Sequence, residues 1–130
     1  MRVRIAAVLM LCGGLLGCTS VHDFVYGPPK TFIVFFPQNS AQLTPDAAAI
    51  VKTAAEAIRR QHPKTVDIAA GVAAGGNMEM SAPRFAVVRK LLVDDGVDEG
   101  VIARSAIPDP KLDKGTARQR VEIRLLANGV

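Results

Sequence analysis

The chain has 130 residues, 49% of them apolar and 5% aromatic, with a formal net charge of +4, two cysteines and no tryptophan. That length suits one domain with a short leader, and the apolar content supports a packed core rather than a disordered chain. Acidic and basic residues are interspersed, with no dense basic run and almost nothing to stack bases, so a nucleic-acid partner is excluded.

Residues 1–17 open with Arg2 and Arg4, continue through an apolar stretch to Leu16 broken by Gly13 and Gly14, and reach Cys18 behind Leu15-Leu16-Gly17. A bilayer-spanning helix needs about 20 consecutive apolar residues, whereas this run is short and ends in polar Thr19 and Ser20; the order of charge, apolar core and small residues is that of a secretory signal. The Leu-Leu-Gly-Cys ending resembles the bacterial lipobox, which implies diacylglycerol on the Cys18 thiol, removal of residues 1–17 and stable anchoring by several acyl chains. By the same resemblance, Thr19 rather than Asp after the cysteine favours the outer membrane, with the rest of the chain in the periplasm. Cys12 would leave with the signal, so neither a disulfide nor a thiolate metal site is expected. Residues 18–30, ending in Gly27-Pro28-Pro29, read as a tether; at ~3.3 Å per residue, the dozen residues after the cysteine reach at most about 40 Å.

Residues 31–130 read as one domain. Thr31 to Phe36, a β-branched and aromatic run between prolines, predicts a strand buried on both faces. Thr44-Pro45-Asp46 supplies a hydroxyl cap, a first-turn proline and an acid at the positive dipole end, and predicts a helix that Pro63 stops. Thr65 to Ala70 predicts a second strand, with Val66, Ile68 and Ala70 on one side, followed by a glycine-rich turn from Gly71 to Gly76. Ser81 is expected to cap a second helix carrying Pro83 in its first turn and ending at Gly96. Val101 to Ile107 predicts a third strand. Val121, Ile123 and Leu125 alternate with Glu122 and Arg124 in a last strand with one wet face. The order β-α-β-α-β-β predicts an α+β two-layer sandwich: a mixed sheet with two helices on one face.

Three stretches then carry a resemblance. Phe35 to Thr44, FFPQNSAQLT, is an aromatic strand running into Ser-Ala-x-Leu-Thr. Asn77 to Arg84, NMEMSAPR, is similar to Asn-x-x-Leu-Ser-x-x-Arg, with Met80 at the leucine position. Arg120 to Ile123 is Arg-Val-Glu-Ile. In this order they resemble the carboxy-terminal domain of outer membrane protein A, found also in peptidoglycan-associated lipoproteins and flagellar stator proteins. The resemblance implies non-covalent binding of peptidoglycan through the diaminopimelate of its stem peptide, whose ammonium and carboxylate need an acid and a base. It makes Arg84 the base, with Asn77 as a second ligand-binding residue. A guanidinium can grip a carboxylate by two parallel hydrogen bonds, and the first turn of a helix, where Arg84 is expected, adds a positive dipole end. The family's Asp after the second strand is replaced here by Ala73 or Ala74, depending on register, in a loop about four residues shorter. Leaving the ammonium without its acid costs about 1–3 kcal/mol, tenfold or more in affinity. Asp67 is not a substitute, because strand alternation turns it away from Val66 and Ile68 and places it several residues before the loop.

Other features point to no chemistry. His22 and His62 stand apart without a nearby nucleophile, and the acidic cluster Asp94, Asp95, Asp98 and Glu99 lacks the spacing of a calcium loop. The glycine-rich turn has no phosphate-loop ending, and no paired carboxylates or nucleophile–base set are visible. The expectation is a binding module without enzyme activity, cofactor or metal. Its alternative is an interaction module that docks another envelope protein without holding peptidoglycan.

Overall fold

The computed structural model describes residues 30–72, 78–107 and 118–127. In chain order these form strand β1 (Thr31–Phe35), helix α1 (Pro45–Gln61), strand β2 (Thr65–Val72), helix α2 (Met78–Asp94), a 3₁₀ turn (Glu99–Val101), strand β3 (Ile102–Ile107) and strand β4 (Arg120–Leu126). The four strands make one mixed sheet in the order β1-β4-β2-β3. β2 and β3 are parallel, and β4 lies between β1 and β2, antiparallel to both. The α+β order and mixed sheet expected from the sequence are the ones observed.

α1 forms where its signals place it. Thr44 caps it by accepting from the Ala47 amide at 3.2 Å, Pro45 begins the first turn, and Asp46 sits at the positive dipole end. At its far end His62 takes a left-handed conformation, φ 48°, and its N–H returns to the Ile58 carbonyl at 2.9 Å just before Pro63. The helix buries Ala47, Val51, Ala54, Ala55 and Ile58 against the sheet. Phe32 and Val34 from β1, Val66 and Ile68 from β2, Val121, Ile123 and Leu125 from β4, and Val88 and Leu92 from α2 complete the core. At roughly 1.5–3 kcal/mol per fully buried side chain, this apolar layer dominates the stability.

Three local expectations are corrected. β1 is buried on one face only: Phe32 and Val34 face the helices, while Ile33 and Phe35 are 43% and 46% exposed. β1 is an edge strand and both helices pack on one side of the sheet, so a continuous apolar run does not here mean two covered faces. Second, α2 begins at Met78, not at Ser81. Met78, Glu79 and Met80 are good helix formers and Glu79 suits the positive dipole end, so the helix extends N-terminal to the serine. Pro83 therefore lies inside the helix, where it forfeits the N–H that would meet the carbonyl four residues back. Third, β2 runs on through Gly71, φ 84°, to Val72, two residues past Ala70.

Beside the exposed Ile33 and Phe35 of β1, the sheet face away from the helices carries an internally paired polar cluster around β4. Glu122 accepts from Arg120 Nε at 2.7 Å and from Arg124 Nη2 at 2.6 Å. Asp67, opposite Arg124 in the β2–β4 register, lies 3.6 Å from its guanidinium and accepts from Ser105 Oγ at 2.7 Å. Burial alone pushes the Glu122 carboxyl up; the hydrogen bonds and charges of Arg120 and Arg124 together outweigh this and hold it below its ordinary range.

Candidate functional site

Arg84 lies beyond the first turn of α2, on the side facing the β1–α1 connection, and is 3% exposed. Its Nε donates to the Ser40 carbonyl at 2.9 Å, and Nη2 donates to the Pro37 carbonyl at 3.2 Å and to Gln119 Oε1 at 2.6 Å. Its guanidinium carbon stands 5.2 Å from the centre of the Phe36 ring, a cation–π distance. One side chain thus ties together the end of β1, the loop leading to α1 and the residue before β4. Phe36 N–H donates to the Gln119 carbonyl at 2.7 Å, and Ser40 N–H to the Pro37 carbonyl at 3.2 Å, so the backbone that presents these acceptors is itself fixed.

This corrects the setting expected for Arg84. The residue is not in the first turn, where free amides and the dipole end would assist it, because the helix starts three residues earlier than its serine suggested. Nor does it lie open in a cleft. Its burial follows from the acceptors that the β1–α1 loop and Gln119 present to a planar fork of donors. Among the described residues, every partner of Arg84 is neutral. Burial lowers its pKa from the ordinary value, yet a guanidinium keeps its proton. The result is a positive charge inside the domain that, among the described residues, is solvated by dipoles.

A small cavity of about 240 Å³ adjoins this end of the domain, lined by Pro37, Gln42, Leu43, Thr44 and Pro45. A larger one, about 570 Å³, lies at the opposite end, between the close of α1 at His62 and Pro63 and the Gly96-Val97-Asp98 turn after α2. Its position separates it from Arg84.

Buried Ser81 and exposed Arg104 make a second link beside α2. Ser81 Oγ donates to the Ala70 carbonyl at 2.6 Å and accepts from Arg104 Nη2 at 3.0 Å, and Arg104 also faces the Phe85 ring at 5.2 Å. Ser81 is therefore a strand-to-helix clasp rather than a cap.

The remaining site residues are distributed as follows. Asn77, Cys18, Ala73 and Ala74 lie outside the described residues. Asp67 is on the far face of the sheet, paired with Arg124 and Ser105, as strand alternation requires. The acidic cluster is engaged locally: Lys90 pairs with Asp94, Arg89 with Glu99, and Asp98 accepts from the Gly100 amide. Among the described residues, no group of His, Cys, Asp and Glu could hold a metal ion, and no helix is long and apolar enough to cross a membrane. Pro37, Ser40 and Gln119 are the Arg84 partners that sequence reasoning missed: two offer backbone carbonyls, which every residue carries, and no local pattern joins the third to Arg84.

No family model matches the sequence, and no curated protein does. Solved structures match the fold. The OmpA-like domain of FopA1 from Francisella tularensis is similar at TM-score 0.61 and 17% identity, over 72% of this chain and 69% of that one. The cell wall anchor of the T6SS from Pseudomonas aeruginosa gives TM-score 0.59 and 18% identity, over 75% of this chain and 81% of that one. The peptidoglycan-associated lipoprotein from Burkholderia pseudomallei gives 0.56 and 17%, over 72% and 88%. The chain has the fold of OmpA-like domains.

Proposed function

We propose that this chain is an envelope lipoprotein, anchored in the outer membrane through acylated Cys18, whose domain of residues 31–130 contacts peptidoglycan weakly and non-covalently in the periplasm. A stem-peptide carboxylate of the diaminopimelate type is its ligand, and Arg84 is the residue that holds it. The observation that carries this reading is the shell around Arg84: a buried cation whose described partners are two carbonyls, one amide oxygen and one aromatic ring, none of them anionic. A charge held among neutral dipoles in a low-dielectric setting favours an incoming anion. Two structures sharing the fold are named as a cell wall anchor and as a peptidoglycan-associated lipoprotein, which supports the class of ligand. Ala73 and Ala74 offer no carboxylate for the ligand's ammonium, so binding is weak. The reading assigns the domain no reaction to catalyse.

Co-sedimentation of the full chain with purified sacculi tests it. Retention at low salt that falls as ionic strength rises is the expected result; no retention at low salt overturns it.

A second reading has its own observation. Because Arg84 is only 3% exposed, a partner meeting this end of the domain touches the β1–α1 loop before it touches the guanidinium, which suits docking of another envelope protein. Crosslinking in intact membranes separates the two: adducts to muropeptides alone reject the docking reading.

A further inference from the structure

A guanidinium that receives a carboxylate must have donors to offer, and those of Arg84 are partly engaged. Its three acceptors differ in how they can leave. Ser40 and Pro37 contribute backbone carbonyls from a loop stitched by its own hydrogen bonds, Ser40 N–H to the Pro37 carbonyl at 3.2 Å and Gln42 N–H to Ser40 Oγ at 3.0 Å. Freeing either carbonyl means moving the chain. Gln119 Oε1, 2.6 Å from Nη2, ends a flexible side chain. The Gln119 backbone is fixed separately, through its carbonyl to Phe36 N–H at 2.7 Å. The amide can swing away by side-chain rotation while every backbone contact stays in place.

We infer that Gln119 is a displaceable latch on Arg84: its amide oxygen occupies the nitrogen that an incoming carboxylate uses, and binding exchanges a neutral acceptor for an anionic one. The inference rests on the reading of Arg84 as the ligand-holding cation. The exchange has a direction, because a hydrogen bond to a carboxylate is about twice as strong as one to a neutral amide and none of the described partners of Arg84 is anionic. It also has a selective consequence. A carboxamide offers no more than the amide already in place and gains nothing on displacing it, whereas a free carboxylate gains a charge-assisted bond. Because the competent, unlatched form is only part of the population, the latch reduces apparent affinity by the fraction that is closed.

Calorimetric titration of the full chain with a disaccharide tetrapeptide carrying free diaminopimelate carboxylates, and with its carboxamide counterpart, tests this. Gln119→Ala, and Gln119→Asn, whose side chain is one methylene shorter, are expected to tighten the free acid's binding about three- to tenfold, the equivalent of one net hydrogen bond. They tighten the carboxamide by the same factor, because the closed latch shuts out both ligands alike. Gln119→Glu sets a permanent carboxylate on the same nitrogen and is expected to weaken binding more than tenfold. Unchanged or weaker binding by both shortened variants overturns the latch and leaves the Arg84 reading standing. Absence of binding by the unaltered chain and by every variant removes the Arg84 reading, and the latch with it.

Discussion

Gly71 and Ser81 meet with no room for a side chain between them: a β-carbon on Gly71 would lie 2.8 Å from Ser81 Cβ and 2.9 Å from its Oγ. This contact sets β2 against the N-terminal half of α2, and so positions the helix that carries Arg84. Gly71 also has φ 84°, a conformation that disfavours residues with a β-carbon. Gly71→Ala therefore combines overpacking with backbone strain and is expected to destabilise the domain by at least about 2 kcal/mol. Thermal unfolding by circular dichroism, with a midpoint lowered by roughly 8 °C or more, checks it.

Ser81→Ala keeps the close approach and removes the hydroxyl. The Ala70 carbonyl and an Arg104 N–H then lose their 2.6 and 3.0 Å partner. A loss of about 1–3 kcal/mol is expected, as for a buried group left unsatisfied. Urea titration should show a lower midpoint with an unchanged slope.

Arg84→Lys keeps the charge and discards the fork. A single ammonium cannot occupy the positions of both Nε and Nη2, which meet Ser40, Pro37 and Gln119. The variant is expected to lose about 1–3 kcal/mol, measured by urea titration. Stability equal to that of the unaltered chain would show that the three internal bonds contribute nothing.

Acid sensitivity should trace to Glu122. Its folded pKa is depressed, so its contribution to stability is full above the unfolded carboxyl value of about 4.3 and disappears as pH falls through the lower folded value. Glu122→Gln is expected to flatten the acid limb of a plot of thermal midpoint against pH below about 4.3. Parallel curves for the two proteins in that range would show that another carboxylate governs the limb.

The parts of the fold legible in the sequence are those built from local chemistry. Thr44-Pro45-Asp46 marks the start of α1 because cap, first-turn proline and acid act within one turn. β4 shows itself by strict alternation, buried at Val121, Ile123 and Leu125. What stayed hidden depends on residues far apart in the chain. Ser81 has the chemistry of a cap, but its hydroxyl is taken by Ala70, so the same residue type marks a clasp instead. The two faces of β1 differ because of its place at the sheet edge, which the apolar run does not encode. Arg84 could be picked out by its segment, whereas its burial could not: its acceptors lie 35 to 47 residues away in sequence.

The guanidinium itself gives the most direct test. In nitrogen-15-labelled full chain titrated with the free-acid disaccharide tetrapeptide, the Arg84 Nε–H and Gln119 side-chain amide resonances should move together and saturate. Binding of the muropeptide with both signals unmoved, or no binding at low salt, contradicts the assignment of Arg84 as the ligand-holding cation.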